Sequence, residues 1–221
     1  MLLAVDTSTR WMGIALFDGI QVVGESFWRT QNHHTVELSS GIENLLERCG
    51  LTGADLTVLA VATGPGSFTG LRIGMAVVKG LALALKLPVI GIPTLDPVAA
   101  FQLLDDRPLM VVLQAGRKRL AKVDYTRRDE QWIPVSDPIV ITAVELSEQI
   151  EYPVIVCGEL SESDREALES NHNISLISPV WSARRPSYLA ELAWRRWIKK
   201  DVDDAAVLSP IYLHVAEVIP G

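Results

Sequence analysis

The feature that most constrains the fold is a strand, a glycine-rich loop and a long apolar helix between Val61 and Lys86. This segment reads VATGPGSFTGLRIGMAVVKGLALALK, and Gly64, Gly66 and Gly70 precede the apolar run. Such a loop places free backbone N–H groups at a helix start, where an anion can bind. The same glycines can instead serve a tight turn that needs their dihedral angles. The sequence favours the turn and leaves weak nucleotide binding open.

The two common phosphate-binding patterns do not match this loop. A Walker A loop requires GxxxxGK[ST], and the chain contains neither Gly-Lys-Ser nor Gly-Lys-Thr. A dinucleotide fingerprint requires GxGxxG and an acidic residue about 20 positions further on. The glycines here have the spacing GxGxxxG, and Asp96 lies too far along the chain and follows Pro93. The sequence therefore argues against both standard phosphate sites.

The helix after the loop is apolar on almost every side. Its charged residues recur seven positions apart and form one narrow stripe: Arg72, Lys79 and Lys86. Its small residues recur four positions apart and form a strip where another backbone can approach closely: Ala76, Gly80 and Ala84. A helix of this kind is buried on most sides. It is either fully internal or shared with a partner protein, and its sequence alone does not separate the two.

The pattern of apolar residues predicts two successive α/β units. The linker candidate is Asp105-Asp106-Arg107-Pro108, after which strands begin again. We predict an N-terminal lobe over residues 1–104 and a C-terminal lobe over residues 105–221, whose last segment packs back on the first lobe. Predicted strands cover 2–5, 11–17, 21–28, 56–62, 89–92, 109–113, 119–125 and 154–157. Predicted helices cover 35–48, 70–86, 93–104, 161–170 and 187–200.

Composition narrows the function classes. Of the 221 residues, 48% are hydrophobic, which supports a complete core. The net charge of −7 does not suit a protein that binds nucleic acid on its own, because phosphate contacts need clustered Lys and Arg. Cys49 and Cys157 form no CxxC pair, and the sequence has no recognisable signal peptide or bilayer-spanning run. We expect a cytoplasmic protein that does not associate with a membrane.

Few residues are candidates for catalysis or metal binding. His33, His34 and Glu37 are close in sequence, but zinc needs three or four ligands of compatible geometry, and we expect no metal site. Ser67 does not stand in a GxSxG nucleophile elbow, and we interpret it with Thr69 as a helix cap.

Trp194 with Arg195 and Arg196 could stack on RNA bases. An amphipathic helix with a solvated basic face is the favoured interpretation.

Four segments carry a family resemblance: LLAVDTST at the start, ATGPGSFTGLRIG in the middle, VIGIPTLDPVA after the long helix, and LSPIYL near the end. Together they resemble the TsaB/YeaZ family, the bacterial partner subunit in making threonylcarbamoyladenosine in tRNA. The resemblance covers most of the first half of the chain and its extreme C-terminal part.

The resemblance implies the two-lobed α/β fold of actin, Hsp70 and the sugar kinases, with a mixed five-stranded sheet in each lobe. In that fold the first hairpin turn faces the nucleotide phosphates. The corresponding turn here, residues 6–9, lacks the usual glycine. The resemblance thus implies a degraded nucleotide site at Asp6, Thr7, Ser8, Gly64 and Gly66. No cofactor is required, and weak ATP or ADP binding is expected at or near a subunit interface.

The resemblance also bears on catalysis. The related TsaD and Kae1 enzymes carry HxxxH, whose spacing on a helix places both imidazoles on one metal. The corresponding residues 94–98 contain no histidine. The resemblance implies a chain without catalytic or metal-binding residues that dimerises with and activates the transferase acting on adenosine 37 of ANN-decoding tRNAs. An independent ATP-dependent enzyme of the same fold is the alternative, and a peptidase is a third reading.

Partners and their contact surface follow from the resemblance as well. Expected partners are a TsaD-type transferase, a TsaE-type ATPase through the heterodimer, a second copy of the chain when alone, and tRNA only through the complex. Family members pair through the first two helices of the N-terminal lobe. The candidate contact residues on these helices are Val36, Ser40, Glu43, Leu71, Arg72, Met75, Ala76, Lys79, Gly80 and Ala84. Gln114 stands where family members commonly have an aspartate.

Overall fold

Two mixed β-sheets, each with helices on both faces, make up the structure. The computed structural model describes residues 1–30, 34–116 and 118–213, without the side chain of His34. The six helices are α1 (His34–Arg48), α2 (Phe68–Leu85), α3 (Asp96–Phe101), α4 (Ala143–Gln149), α5 (Glu162–Glu169) and α6 (Pro186–Trp197). A short 3-10 turn covers Gly53–Asp55.

The first sheet contains five strands, β1 (Leu2–Asp6), β2 (Trp11–Phe17), β3 (Val22–Arg29), β4 (Val58–Ala62) and β5 (Val89–Ile92). Their order is β3-β2-β1-β4-β5, with β1 antiparallel to β2 and parallel to β4. All residues of β1 are buried, because helices cover both faces of the sheet.

Alternating side chains of β1 supply two separate cores. Leu3 and Val5 pack towards α1 and α2, in a cluster that also holds Met75. Leu2 and Ala4 pack on the opposite face, in a cluster with residues of α6. A helix from the C-terminal part of the chain therefore completes the first sheet.

The second sheet contains six strands, β6 (Leu109–Gln114), β7 (Leu120–Arg128), β8 (Gln131–Pro134), β9 (Ile139–Ile141), β10 (Val154–Gly158) and β11 (Ile174–Leu176). Five follow the order β11-β10-β6-β7-β8, and β9 pairs with β7 beside that path. The expected number was five, and the short strands β8, β9 and β11 were absent from the sequence prediction. Strands of three or four residues show too little alternation to be recognised.

The predicted helices over 93–104 and 187–200 were too long. α3 ends at Phe101 because Gln102 has an extended backbone (φ −76°, ψ 142°). Beyond it, Leu103 is an exposed loop residue although it continues the apolar run. α6 ends at Trp197, and Lys200 adopts a left-handed φ of 60° that no helix continues. The lobe boundary that we place after residue 104 stays a prediction.

α2 is long and apolar enough to cross a membrane by length and composition alone, with 33% of it buried. Core helices of soluble proteins meet the same two criteria. Here its buried side packs on β1 and β4, and its other side faces solvent.

Candidate functional site

The end of β1 and the turn that follows it are tied to the rest of the chain by the Asp6 carboxylate. Asp6 is 2% exposed. One of its oxygens accepts a hydrogen bond from the Ser8 backbone N–H at 2.8 Å, and the other accepts one from Nε of Arg184 at 2.5 Å. The Asp6 charge is thus compensated inside the protein by an arginine from the segment before α6.

Arg184 joins both sheets at this point. Its side chain is 1% exposed and also forms an ion pair with Glu159, which directly follows β10. Its remaining N–H groups donate to Oγ1 of Thr9 at 3.1 Å and to the carbonyl oxygen of Trp11 at 2.8 Å. Burial disfavours the charged guanidinium, but the carboxylates of Asp6 and Glu159 outweigh it and raise the pKa of Arg184. The guanidinium therefore stays charged and fixed.

The glycine loop packs directly on the same turn. The backbone N–H of Ser67 donates to the carbonyl oxygen of Ser8 at 2.6 Å. A Cβ on Gly66 would overlap that carbonyl, and a Cβ on Gly70 would overlap the carbonyl of Thr7. These glycines permit close approach of two backbones, which is one recognised use of glycine.

The polar side chains of the turn are satisfied within the chain. The hydroxyls of Ser8 and Thr94 are 2.9 Å apart, and the Gly64 N–H donates to the Thr94 hydroxyl at 3.0 Å. The Thr7 hydroxyl donates to the Gly70 carbonyl at 2.7 Å. Ser67 caps α2, as the sequence predicts, by accepting a hydrogen bond from the Gly70 N–H at 3.3 Å.

The structure thus brings together all five candidate nucleotide residues, Asp6, Thr7, Ser8, Gly64 and Gly66. The Asp6 carboxylate, the Thr7 and Ser8 hydroxyls and the Gly64 N–H are engaged within the chain, by Arg184, Thr94 and the backbone. A magnesium ion binds through carboxylate oxygens, and the buried Arg184 guanidinium already lies against the Asp6 carboxylate as its cation. This arrangement does not fit a magnesium-bound phosphate at the turn.

A second candidate site is the exposed side of α1 and α2. A groove of about 350 Å³ lies between the two helices and is lined by Thr35, Phe68, Thr69, Arg72, Ile73, Ala76 and Val77. Large apolar side chains are exposed around it: Val36 is 73%, Phe68 53% and Leu83 83% exposed. We call this surface the α1–α2 face. Such an apolar patch is typical of a protein contact site.

The structure places most of the predicted contact residues on this face. Exposed members are Val36, Ser40, Glu43, Arg72, Ala76, Gly80 and Ala84, and Lys79 is partly exposed. The prediction is wrong for Leu71 and Met75, which are 1% and 4% exposed. They lie on the side of α2 that packs on the first sheet, so they contact the core of their own chain. Whether the exposed members bind a partner stays a prediction.

The sequence reasoning missed how the C-terminal segment adjoins this face. The Arg72 guanidinium lies 3.7 Å from the ring centroid of Phe68, and its Nε donates to the Tyr212 hydroxyl at 2.9 Å. The rings of Phe68 and Tyr212 are 4.9 Å apart. The Ile211 N–H donates to the Thr63 carbonyl at 2.7 Å. The LSPIYL motif was the available signal for this contact. It carries part of the family resemblance, yet it lies outside all the predicted helices and strands.

The stretch 94–98 contains a partly buried carboxylate. Asp96 accepts a hydrogen bond from the Tyr125 hydroxyl at 2.7 Å. Burial raises the pKa of Asp96, and the hydrogen bond from Tyr125 partly opposes that rise. Over residues 1–30, 34–116 and 118–213, no three His, Cys, Asp or Glu side chains are grouped as metal ligands.

Other residues that the sequence singled out have structural roles or lie outside the described chain. His33 and the His34 side chain are not described, whereas Glu37 accepts hydrogen bonds from Trp28 at 2.8 Å and Thr30 at 2.7 Å. Trp194 packs edge-on against Phe17 with ring centroids 5.8 Å apart.

The arginines beside Trp194 are paired. Arg195 pairs with Glu191, and Arg196 pairs with Asp201 and Asp203. Packing and ion pairs thus account for this segment without RNA.

Gln114 lies beside an acidic side chain. Its Nε2 donates to Oδ2 of Asp164 at 2.5 Å. An aspartate at position 114 would place two carboxylates together, so the glutamine suits Asp164 in this chain.

Comparison with known proteins agrees with this architecture. A family model described as TsaD: tRNA N6-adenosine threonylcarbamoyltransferase matches residues 28–194. The chain belongs to the TsaD family. Curated relatives of this TsaD-family chain are named tRNA threonylcarbamoyladenosine biosynthesis protein TsaB. The one from Bacillus subtilis (strain 168) is 28% identical over 221 residues, covering 98% of this chain and 95% of the relative.

A second relative of that name comes from Escherichia coli (strain K12). It is 39% identical over 99 residues, covering 44% of this chain and 42% of the relative. The resemblance to the TsaB/YeaZ family, a family related to TsaD, is confirmed by these matches.

Solved structures establish the fold of this TsaD-family chain. YeaZ from Pseudomonas aeruginosa has a TM-score of 0.75 at 23% identity and covers 95% of this chain and 99% of its own. Another protein, described as uncharacterized with similarity to peptidase YeaZ from the same organism, has a TM-score of 0.79 at 23% identity, with coverages of 96% and 99%. The predicted two-lobed actin-like α/β fold is confirmed.

Proposed function

We propose that this chain is a non-catalytic subunit of the machinery that makes threonylcarbamoyladenosine at adenosine 37 of ANN-decoding tRNAs. Its role is to bind and activate a TsaD-type transferase. Its membership of the TsaD family and its full-length relatives named TsaB support the pathway. The observation that carries the subunit role is the open α1–α2 face, where apolar side chains meet solvent on the longest helix.

The shape of this face suits a helical partner. Ala76, Gly80 and Ala84 are exposed and lie one turn apart on α2. A Cβ built on Gly80 has no atom within 4 Å, so a partner backbone can come close to this position. Small residues at such spacing allow close helix packing. Val36 and Leu83 flank the strip as apolar contacts.

The non-catalytic role rests on the chemistry of the Asp6 turn. Arg184 and Ser8 occupy both carboxylate oxygens of Asp6, and Ser67 acts as a helix cap. The stretch 94–98 has a threonine, a leucine, an aspartate, a proline and a valine in place of HxxxH. Catalysis is thereby assigned to the partner.

Further parts of the proposal concern the assembly. We place the chain in the cytoplasm. When alone it forms a homodimer, because the exposed α1–α2 faces of two copies can pack against each other. A TsaE-type ATPase joins through the heterodimer. ATP or ADP, if bound weakly by this chain, sits at or near a subunit interface and is not required by the chain itself.

Direct binding to a TsaD-type transferase tests the subunit role. Gly80→Trp puts an indole on the exposed strip without an intramolecular clash at its Cβ. Isothermal titration calorimetry should show binding for the natural chain and a loss of at least tenfold for Gly80→Trp. Ile20→Trp, at a position 93% exposed in the β2–β3 turn, is the matched control and should bind normally.

The result that counts against the proposal is equal binding by all three proteins, or none by the natural chain. Tight magnesium-ATP binding that disappears in Asp6→Asn would favour the independent enzyme instead.

A further inference from the structure

A second groove lies on the side of the first sheet that carries α6. It has a volume of about 560 Å³ and runs between β3, the end of α3 and the segment that leads into α6. Phe27, Phe101 and Trp181 form its aromatic wall, and Glu25 and Arg185 form its polar part. We call it the aromatic groove. Its volume is in the range of ligand sites.

The aromatic side chains present flat surfaces to solvent. Trp11 stacks on Phe27 with ring centroids 5.3 Å apart and an interplanar angle of 13°. Phe101 stacks on Trp181 at 5.4 Å and 21°. Trp11, Phe27 and Trp181 remain 39%, 37% and 56% exposed. Two stacked pairs at a solvent-facing groove have a surface to which a further planar ring can add.

The polar part of the groove is held rigid. Glu25 accepts hydrogen bonds from the backbone N–H of Ser187 at 3.0 Å and from its hydroxyl at 2.8 Å, and it pairs with Arg185. Burial opposes ionisation of Glu25, but these donors lower its pKa. On the other wall, Nε2 of Gln102 donates to the Trp181 carbonyl at 2.9 Å. The groove is thus preformed.

Two arginines, Arg29 and Arg185, lie beside the aromatic side chains. Arg185 is half exposed at its side chain. Arg29 lies two residues after Phe27 on β3 and directly across from Trp11, so it shares their face of the sheet. Arg29 is exposed. Within the described residues, Arg29 forms no ion pair, and its charge is available to an anionic ligand.

We propose that the aromatic groove binds an unpaired base of single-stranded RNA. The ring stacks on the aromatic wall, and Arg29 and Arg185 contact the adjoining phosphates. Stacking on aromatic side chains and arginine contacts are how proteins hold unpaired bases. The inference rests on the proposed function, whose substrate is a tRNA. It replaces the expectation that tRNA is held only through the complex with a direct contact by this chain.

A protein ligand is the competing occupant, because Trp and Arg also dominate protein interfaces. Rings provide most of the apolar wall, with Val180 and Ala183 as its only aliphatic members among the described residues. The exposed Arg29, which forms no ion pair within the described residues, complements a phosphate. Both features favour RNA.

Fluorescence anisotropy of a labelled anticodon stem–loop, at low salt with the full chain, tests the proposal. The natural chain should bind the stem–loop more tightly than a fully paired duplex of the same stem. Trp181→Ala and Phe27→Ala should each weaken binding by roughly 5- to 150-fold, the range for loss of one base–aromatic stack. Ile20→Ala is the control and should bind like the natural chain. Urea unfolding of each variant verifies that it is folded.

Three results would overturn the inference: equal affinity for duplex and stem–loop, unchanged affinity in both aromatic variants, or displacement of the RNA by AMP at equimolar concentration, which would make a free nucleotide the ligand. Loss of transferase binding in the Trp181 variant with RNA binding intact would make the groove a protein site. Because RNA binding is measured without the transferase, RNA binding that persists when transferase binding fails contradicts the proposed function and leaves the groove assignment standing.

Discussion

At the scale of single residues, Arg184 determines what the turn after β1 can bind. It reaches Asp6 at the end of β1 and Glu159 just after β10, positions 178 and 25 residues away in sequence. Its guanidinium takes the place beside Asp6 that a cation would need. The same contacts fasten the segment before α6 to both sheets. Arg184 therefore fills the space beside Asp6 and also links the two sheets.

Replacing Arg184 by methionine should strongly destabilise the protein. The variant leaves the carboxylates of Asp6 and Glu159 in a buried environment without their cation. Breaking one side of a buried ion pair costs about 3–5 kcal/mol. Urea unfolding monitored by tryptophan fluorescence measures the change in the free energy of unfolding.

Arg185→Met is the matched control for that experiment. The neighbouring arginine is half exposed, and its partner Glu25 keeps two hydrogen bonds from Ser187 when Arg185 is removed, so we expect a loss of only about 1 kcal/mol. Equal losses of unfolding free energy for both variants would mean that the buried ion pairs of Arg184 stabilise the protein no more than the partly exposed pair of Arg185.

At the scale of elements, α2 has two sides with opposite requirements. Gly74 faces the Asp6 turn, where a Cβ would overlap the Thr7 hydroxyl. Gly80 lies on the α1–α2 face, where a Cβ would meet no atom within 4 Å. The same residue type thus serves close packing within the chain on one side and leaves room for a partner on the other.

The substitution of each glycine by alanine separates the two sides. Gly74→Ala should destabilise the chain by about 1–3 kcal/mol, because overpacking forces neighbouring atoms to shift. Gly80→Ala should stabilise the monomer by up to about 1 kcal/mol through helix propensity. Thermal unfolding at dilute protein concentration compares them. A stabilised Gly74→Ala would contradict the close approach of α2 to the turn.

Much of the pattern of helices and strands follows from the sequence, whereas the contacts of Arg184 do not. The loop glycines, the Ser67 cap and the strands of the first sheet have local signals in spacing and residue type. The pairing of Asp6 with Arg184 has none, because the two are brought together only when α6 returns to the first sheet. The burial of Leu71 and Met75 depends on which side of an almost wholly apolar helix meets the sheet, and the periodicity of such a helix does not decide that.

At the scale of the whole molecule, the two faces of the first sheet are covered by helices from different parts of the chain. α1 and α2 cover one side and α6 the other. The segment before residue 213 then crosses the glycine loop, with Ile211 on Thr63 and Tyr212 on Arg72. This arrangement leaves the α1–α2 face and the aromatic groove exposed on opposite sides of the first sheet. We propose that the chain connects a transferase to its tRNA through these two surfaces.

The most direct test of this account is reconstitution of tRNA modification. The transferase, the enzyme that makes threonylcarbamoyl adenylate, the TsaE-type ATPase and tRNA are combined with the natural chain, with Gly80→Trp, with Ile20→Trp or with no added chain, and modified adenosine is measured by mass spectrometry. We predict modification with the natural chain and Ile20→Trp, and a loss of at least tenfold with Gly80→Trp or without the chain. Unchanged modification in the absence of the chain would contradict its role as an activating subunit.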